Sequence, residues 1–280
     1  MASASAHDPV AWTHGQHAIA ATHSEQGRHE AAADLLREPL AVNGRDLGAE
    51  HPETLATRHS VANVLRALGQ TAEAEAEHRA VLALRERILG PEHPKTLSSR
   101  SNLANALLEQ GKIAEATAEH RAALAVRLRV LGPEHPSTLG SGNNFAECLR
   151  AQGKNAEAAA QHRAVLTVRV RVRRPEHPDT LMSRNNLAAA WRAQGKVAEA
   201  EAAHRAVLAN CTRALGPDHP ETLQSHYFLA LCLELQADTR AEALTHARQA
   251  RAGGEKMLGR NHPDQKDYEK AVARLERQPS

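Results

Sequence analysis

The dipeptide His-Pro occurs at His51, His93, His135, His177 and His219, each 42 residues after the one before, and again at His262 after 43. Around these anchors a whole unit repeats, from EHPxTL through NNLA and QGK to AEA, HRAVL and LGPEHP. A period of this length excludes a single globular core. Each copy is one supersecondary unit whose apolar side is buried only by its neighbours, so stability becomes a sum of nearest-neighbour terms and about three copies are the minimum.

Each unit reads as two helices. In the unit that begins at His93, Pro94 suits the first helical turn, because its φ is already set and its missing N–H is not needed there. Helix A is predicted to run to about Gln110, where Gly111 ends it in the left-handed conformation. Helix B follows from about Ile113 to Val130, and Leu131-Gly132-Pro133 stops it. Leu97, Leu103, Ala104, Leu107 and Leu108 share one side of helix A, and Ile113, Ala116, His120, Ala123 and Leu124 share one side of helix B, which makes these the packing faces. The expectation is an all-α solenoid of antiparallel helix pairs. It comprises a flexible segment at 1–8, an array over 9–263 with one irregular N-terminal unit and five full ones, and a capping helix at 264–277.

The irregularities carry their own expectations. Pro39 falls inside the first helix B, and an interior proline costs roughly 3 kcal/mol, so a kink or early end is expected there. Gln236-Ala-Asp-Thr-Arg240 replaces the shorter QGK turn and accounts for the one-residue slip before His262.

Composition narrows the function. With aromatic residues at 2% the apolar surface is mostly Ala and Leu, which lets helices approach within about 8–10 Å. A net charge of +2, from 35 basic and 33 acidic residues spread along the chain, provides no field for a nucleic-acid backbone. Three widely spaced cysteines, Cys148, Cys211 and Cys232, make neither a disulfide framework nor a CxxC metal site and point to a reducing compartment. The start, MASASAHDPVAW, has no basic segment followed by an apolar run, and no stretch of 18 apolar residues occurs; the chain reads as cytoplasmic, with no membrane partner.

The repeated residues resemble the tetratricopeptide repeats of kinesin light chains, whose 42-residue units read much like NNLAxxxxxQGKxxEAExxxxRALxxRxxxLGPEHPxT. The resemblance covers roughly residues 10–262. It implies a right-handed superhelical solenoid whose A helices line a concave groove for extended, often acidic, peptides. The heptad coiled coil by which kinesin light chains dock the motor's heavy chain has no counterpart in these residues.

A candidate site lies opposite the packing face of helix A. Ser98, Asn102, Asn105 and Glu109 form a polar stripe, and other units place Asn63 and Arg66, then Asn143, Asn144 and Arg150, then Asn185, Asn186 and Arg192 on or beside it. Asparagine is a mediocre helix former, so its recurrence inside helices calls for a reason. One is recognition, since the amide offers both a donor and an acceptor to an extended peptide backbone while the arginines favour carboxylates. The other is structural: Asn102, Asn144 and Asn186 bond between helices and fix the stacking. Tyr227 and Phe228 stand at the Asn positions of the last full unit, either as a pocket for an apolar anchor or as a surface covered by the 264–277 helix. Arg58, Arg100 and Arg184, on the packing side, are expected to pair with nearby glutamates, and Arg169, Arg171, Arg173 and Arg174 read as a solvated helix end.

The eighteen histidines do not make a metal site, because equivalent rings one repeat apart are too distant to share an ion. His78, His120, His162 and His204 recur on the packing stripe of helix B and read as core. The QGK turns lack the first glycine and the Ser or Thr of a phosphate loop, and no GxSxG or activated carboxylate pair occurs. The chain is therefore expected to be no enzyme, to need no cofactor, and to bind a protein or peptide, acidic in character. The competing reading is a self-associating or structural module of a larger signalling or sensor assembly.

Overall fold

A computed structural model describes residues 9–260 and 262–277, and the expected flexible segment at 1–8 lies outside them. All regular structure among these residues is helical: α1 (Pro9–Glu25), α2 (His29–Asp46), α3 (Pro52–Ala67), α4 (Thr71–Leu89), α5 (Pro94–Glu109), α6 (Ile113–Leu131), α7 (Pro136–Ala151), α8 (Asn155–Val172), α9 (Pro178–Ala193), α10 (Val197–Leu215), α11 (Pro220–Leu233), a 3-10 turn (Ala237–Thr239), α12 (Arg240–Met257) and α13 (Pro263–Arg277). The chain divides into two compact units, Met1–Val126 and Arg127–Ser280. Within the first, α1 to α5 pack each on the next and the A helices α1, α3 and α5 also touch in sequence order; within the second, α7 to α13 do the same, with α7, α9, α11 and α13 in the A positions.

The repeated sequence maps onto a repeated set of ties. In EHPxTL the histidine is itself the cap: Nδ1 of His51, His93, His135, His177, His219 and His262 accepts the backbone N–H two residues on, at 3.1 to 3.2 Å. This satisfies a donor that the first helical turn leaves open, and it requires a neutral ring. The threonine reaches back to the end of the preceding helix B, where Thr54, Thr96 and Thr138 donate to the carbonyls of Asn43, Arg85 and Arg127. The leucine is core, with Leu55, Leu97, Leu139, Leu181 and Leu223 all buried. At the turn from A to B, Gly111 has φ of +75°, and Lys112 N–H bonds Leu107 O at 2.9 Å, a helix end that a side-chain-bearing residue would strain.

A second set of ties is absent from the sequence reading. Arg85, Arg127 and Arg169, at one repeat position on helix B, are 4%, 8% and 5% exposed. Arg85 donates to Ser99 Oγ at 2.7 Å, Leu55 O at 3.2 Å and Lys95 O at 3.3 Å. Arg169 does likewise to Asp179 O at 2.6 Å and Ser183 Oγ at 2.9 Å, and Arg127 bonds Ser141 Oγ. Arg169 is thus an interior tie between α8 and α9 and not part of a solvated helix end. Burial pulls all three guanidinium groups down from their usual range.

Pro39 does not end its helix: α2 continues to Asp46. Leu36, Pro39 and Asn43 are buried together, and Asn43 bonds Thr57 Oγ1 at 3.1 Å, so tertiary packing outweighs the lost backbone bond. The longer turn at Gln236–Arg240 contains the 3-10 segment.

At the far end of the second unit, α13 lays Ala271, Val272 and Leu275 on Leu229, Leu233, Ala243 and Ala247. It approaches α12 so closely that a Cβ on Gly254 would lie 2.3 Å from Gln265 Oε1 and 3.0 Å from the Tyr268 ring. Gly254→Ala should therefore push α13 away and cost about 1–3 kcal/mol. Hydrogen exchange should localise the loss of protection to α12 and α13, and unchanged exchange there would refute the close fit.

Candidate functional site

The stripe residues fall into two sets. In the first unit they are consumed by one another. Asn102 Nδ2 donates to Asn63 Oδ1 at 3.0 Å and lies 3.0 Å from His59 Nε2, so that amide joins α5 to α3. Arg66 pairs with Glu109 across the same two helices. Asn105 Oδ1 lies 3.1 Å from Nε2 of the buried His120, which joins helix A to helix B of its own repeat.

In the second unit Asn143 and Asn185 are 6% exposed and their Oδ1 atoms meet His162 Nδ1 at 3.2 Å and His204 Nδ1 at 3.0 Å. These two amides are interhelical ties. Arg150 pairs with Glu147 on its own helix at 2.8 Å. Asn144, Asn186 and Arg192 differ from all of these: they are half-buried, and their side chains make no hydrogen bond or ion pair with any described residue. Sequence explains the free arginine. Arg66 finds Glu109 on the next repeat, but the residue in that relation to Arg192 is Leu235, which is 55% exposed.

The other arginines of helix A follow the same logic. Arg58 pairs with Glu77, and Arg100 with Glu119 at 2.8 Å and with Glu86. Arg184 occupies the same repeat position without such a pair, because Ala203 and Val170 stand where Glu119 and Glu86 do. Tyr227 packs on Tyr268 of α13, ring centroids 5.2 Å apart, and Phe228 stacks on His204 at 5.9 Å.

The helix B histidines occupy apolar interior. His78 and His204 are fully or almost fully buried, and burial, reinforced by Arg66 and Arg192 respectively, pulls each down to about 4. His59, beside His78 and Arg85, is pulled to about 3, again mainly by burial. Neither ring nitrogen of His78 has a hydrogen-bond partner. No group of three His, Cys, Asp or Glu among the described residues is placed to hold a metal ion. No helix among them is long and apolar enough to cross a membrane.

The tetratricopeptide repeat profile matches residues 10–79, 53–128 and 100–167, and a second profile of the same description matches 180–221 and 233–264. The chain belongs to the tetratricopeptide repeat family. Among solved structures this tetratricopeptide array is similar to a protein of Podosopora anserina described as a kinesin light chain with nearly identical TPR-like repeats. The two are 31% identical, with a TM-score of 0.65, over 74% of this chain and 97% of that one. It is also similar in fold to BtubC (BKLC) from P. vanneervenii, at 17% identity and a TM-score of 0.57 over 96% of this chain and 94% of the other. A Rap protein complexed with Competence and Sporulation Factor shares the fold at 11% identity, with a TM-score of 0.64 over 93% of this chain and 73% of that one. No curated protein matches in sequence. Arrays of such repeats generally serve as protein-interaction scaffolds.

The buried imidazoles give the array a signed pH dependence. An unfolded chain protonates its histidines near pH 6.5, whereas the folded one keeps His78 and His204 neutral down to about 4. Between those values the unfolded state binds more protons. The stability tied to these rings is complete above about pH 6.5 and is lost as the pH falls towards 4, at up to about 1.4 kcal/mol per pH unit for each ring. Thermal midpoints should drop between pH 7 and pH 5. His78→Phe, which sacrifices no hydrogen bond, should flatten that drop; a midpoint equally steep in the variant would remove His78 from the cause.

Proposed function

We propose that this array is a non-enzymatic scaffold that binds an extended, acidic peptide segment of another protein along the exposed stripe of its A helices. The second unit carries the contact. The observation that supports this reading is the free set Asn144, Asn186 and Arg192, half-buried side chains with no partner among the described residues, whose counterparts Asn102 and Arg66 are satisfied internally. A half-buried amide left open is an ordered donor and acceptor pair, and it meets a peptide backbone without regard to side chains. Arg192 adds a charge-assisted, bidentate-capable partner for a carboxylate, and Leu235, at the repeat position of Glu109, adds exposed apolar surface.

Asn63, Arg66, Asn102 and Asn105 in the first unit, and Asn143, Arg150 and Asn185 in the second, take part in this reading as groups that hold the stripe in place. To contact a ligand they would have to exchange an internal bond for an external one, with little net gain. The reading assigns the chain no chemistry, no cofactor and no nucleic-acid or membrane partner. It places the array in the cytoplasm, where the buried thiols of Cys148, Cys211 and Cys232 stay reduced.

A second reading has one observation in its favour. Leu128, Val130 and Val170, near the ends of α6 and α8, are 44%, 47% and 40% exposed, and such residues suit self-association through the B helices.

A peptide-library selection on the full chain distinguishes the two. The parent should enrich acidic sequences, and Arg192→Ala combined with Asn144→Ala and Asn186→Ala should weaken the selected peptide by about tenfold or more. Equal binding by the variant would move the contact off the stripe. A concentration-dependent dimer that Leu128→Lys with Val170→Lys disperses would favour self-association.

A further inference from the structure

The first joint between repeats lacks cross-links that later joints carry. Glutamine recurs at the end of helix A, at 110, 152, 194 and 236, and three of these side chains reach back to the preceding helix B. Gln110 Nε2 donates to Thr71 O at 2.8 Å, Gln194 Nε2 to Asn155 O at 2.9 Å and Gln236 Nε2 to Glu201 Oε2 at 2.7 Å. Beside the first of them Lys112 pairs with Glu75 at 2.7 Å. Between α2 and α3 the residues at the positions of Gln110, Lys112 and Glu75 are Leu68, Gln70 and Ala33. Leu68 and Ala33 are apolar, and the Gln70 side chain bonds no described residue. Farther along helix B, Arg79 crosses to Glu115 and Arg205 to Glu242, but their counterpart Arg37 turns to Asp34 on its own helix at 3.1 Å. Glu73, at the position of Glu115, pairs with no described residue.

A cavity of about 470 Å³ lies at this joint. Ala33, Leu40, Val61, Val64, Leu65 and Leu68 make its apolar wall, and all but Val64 are partly exposed, so the space is open to solvent. Its volume falls within the ~300–1,000 Å³ of pockets that hold ligands. The polar rim carries a second signal. Glu30 and Asp34 stand one turn apart on α2, whereas α4, α6, α8 and α10 have alanine at both positions. Arg37 neutralises Asp34, but Glu30 is exposed and makes no hydrogen bond or ion pair with a described residue. The joint thus combines an accessible apolar wall with uncompensated negative charge at its mouth, and both features come from residues particular to this copy of the repeat.

We propose that this cavity docks a segment of a partner protein that presents a large apolar side chain next to a lysine or arginine. The apolar side chain fills the space along Val61, Leu65 and Leu68, and the cation meets Glu30. Burial of the anchor supplies the affinity, and the rim charge selects the sign of its neighbour. An acidic segment is disfavoured here, because it would bring like charge to Glu30. The site does not depend on the acidic-peptide reading. It lies in the first unit, shares no residue with the asparagine stripe and calls for a ligand of the opposite charge.

The test selects a random peptide library on the full chain and, in parallel, on Ala33→Phe, which fills the cavity with a ring, and on Glu30→Lys, which reverses the rim charge at an exposed position. The parent should enrich a class in which Leu, Ile, Phe or Trp adjoins Lys or Arg, separate from any acidic class. A fluorescein-labelled peptide of that basic class should bind Glu30→Lys about tenfold more weakly and Ala33→Phe more weakly still. Hydrogen exchange of the parent with this peptide should show protection gained over residues 30–40 and 61–68. Glu30→Lys carries the test if Ala33→Phe does not fold. Enrichment of no such class, affinity unchanged in Glu30→Lys, or protection gained only elsewhere would overturn the proposal. A concentration-dependent dimer that Ala33→Phe disperses would assign the cavity to a second copy of the chain and overturn it equally.

Discussion

Close approach of alanine-lined helix faces is the condition on which the rest of this structure depends. Ala104, Ala106, Ala116, Ala123, Ala158, Ala188, Ala190 and Ala200 are fully buried, and such short side chains allow helix axes to come near the lower end of the usual packing range. The gain is dense contact between neighbouring helices at small cost in side-chain entropy. The consequence is a core with little bulk in which polar groups fill the remaining volume. His78, His120, His162 and His204 sit where larger rings would suit, and Arg85, Arg127 and Arg169 thread between successive repeats.

Those buried polar groups are the reason that the array is specified so strictly. A buried guanidinium without its acceptors would carry a large desolvation cost, so Ser99, Ser141 and Ser183 are bound to their register by Arg85, Arg127 and Arg169. The same holds for the Asn–His pairs and for Thr54, Thr96 and Thr138, which tie helix B to the next helix A. Apolar packing alone would tolerate small slips between helix faces, whereas hydrogen bonds of this kind accept one arrangement. The 42-residue period is thus a period of acceptors and donors as much as of leucines.

The architecture was legible because most element boundaries coincide with a repeated residue of fixed conformational meaning. Pro94 and Gly111 bracket α5, and the predicted ends of α5 and α6 differ from the observed ones by one residue. The misses have a common cause. For Pro39 and Arg169 local rules for helix interiors and charged residues point one way, while what lies across the helix interface decides the outcome. Histidine as the N-cap was missed because serine, threonine, aspartate and asparagine are the usual choices; the His-Pro spacing was the available signal. For the stripe, sequence could place the asparagines on helix A but could not separate Asn143 and Asn185, which turn inward to imidazoles, from Asn144 and Asn186, which do not. Adjacent helical positions differ by about 100° around the axis, and only the packed neighbours decide which of the two is enclosed.

In a chain built by copying one unit, a position that keeps its partners and loses its own side chain is more informative than a position that varies freely. Leu235 stands where Glu109 neutralises Arg66, and Cys211 stands where Arg85, Arg127 and Arg169 tie helix B to the next helix A. At Arg192 one half of an interaction made between α3 and α5 persists without the other half, whereas at Cys211 the partners close up, with Ser225 fully buried against the thiol. A core under no further constraint would gain stability by restoring the pair or by replacing both members with apolar groups, since an unmatched polar group at a partly buried site costs more than either solution. The open position, at Arg192, falls in the second unit, and the group it lacks is a carboxylate. The repeat itself therefore supplies the template for what an external partner would have to present.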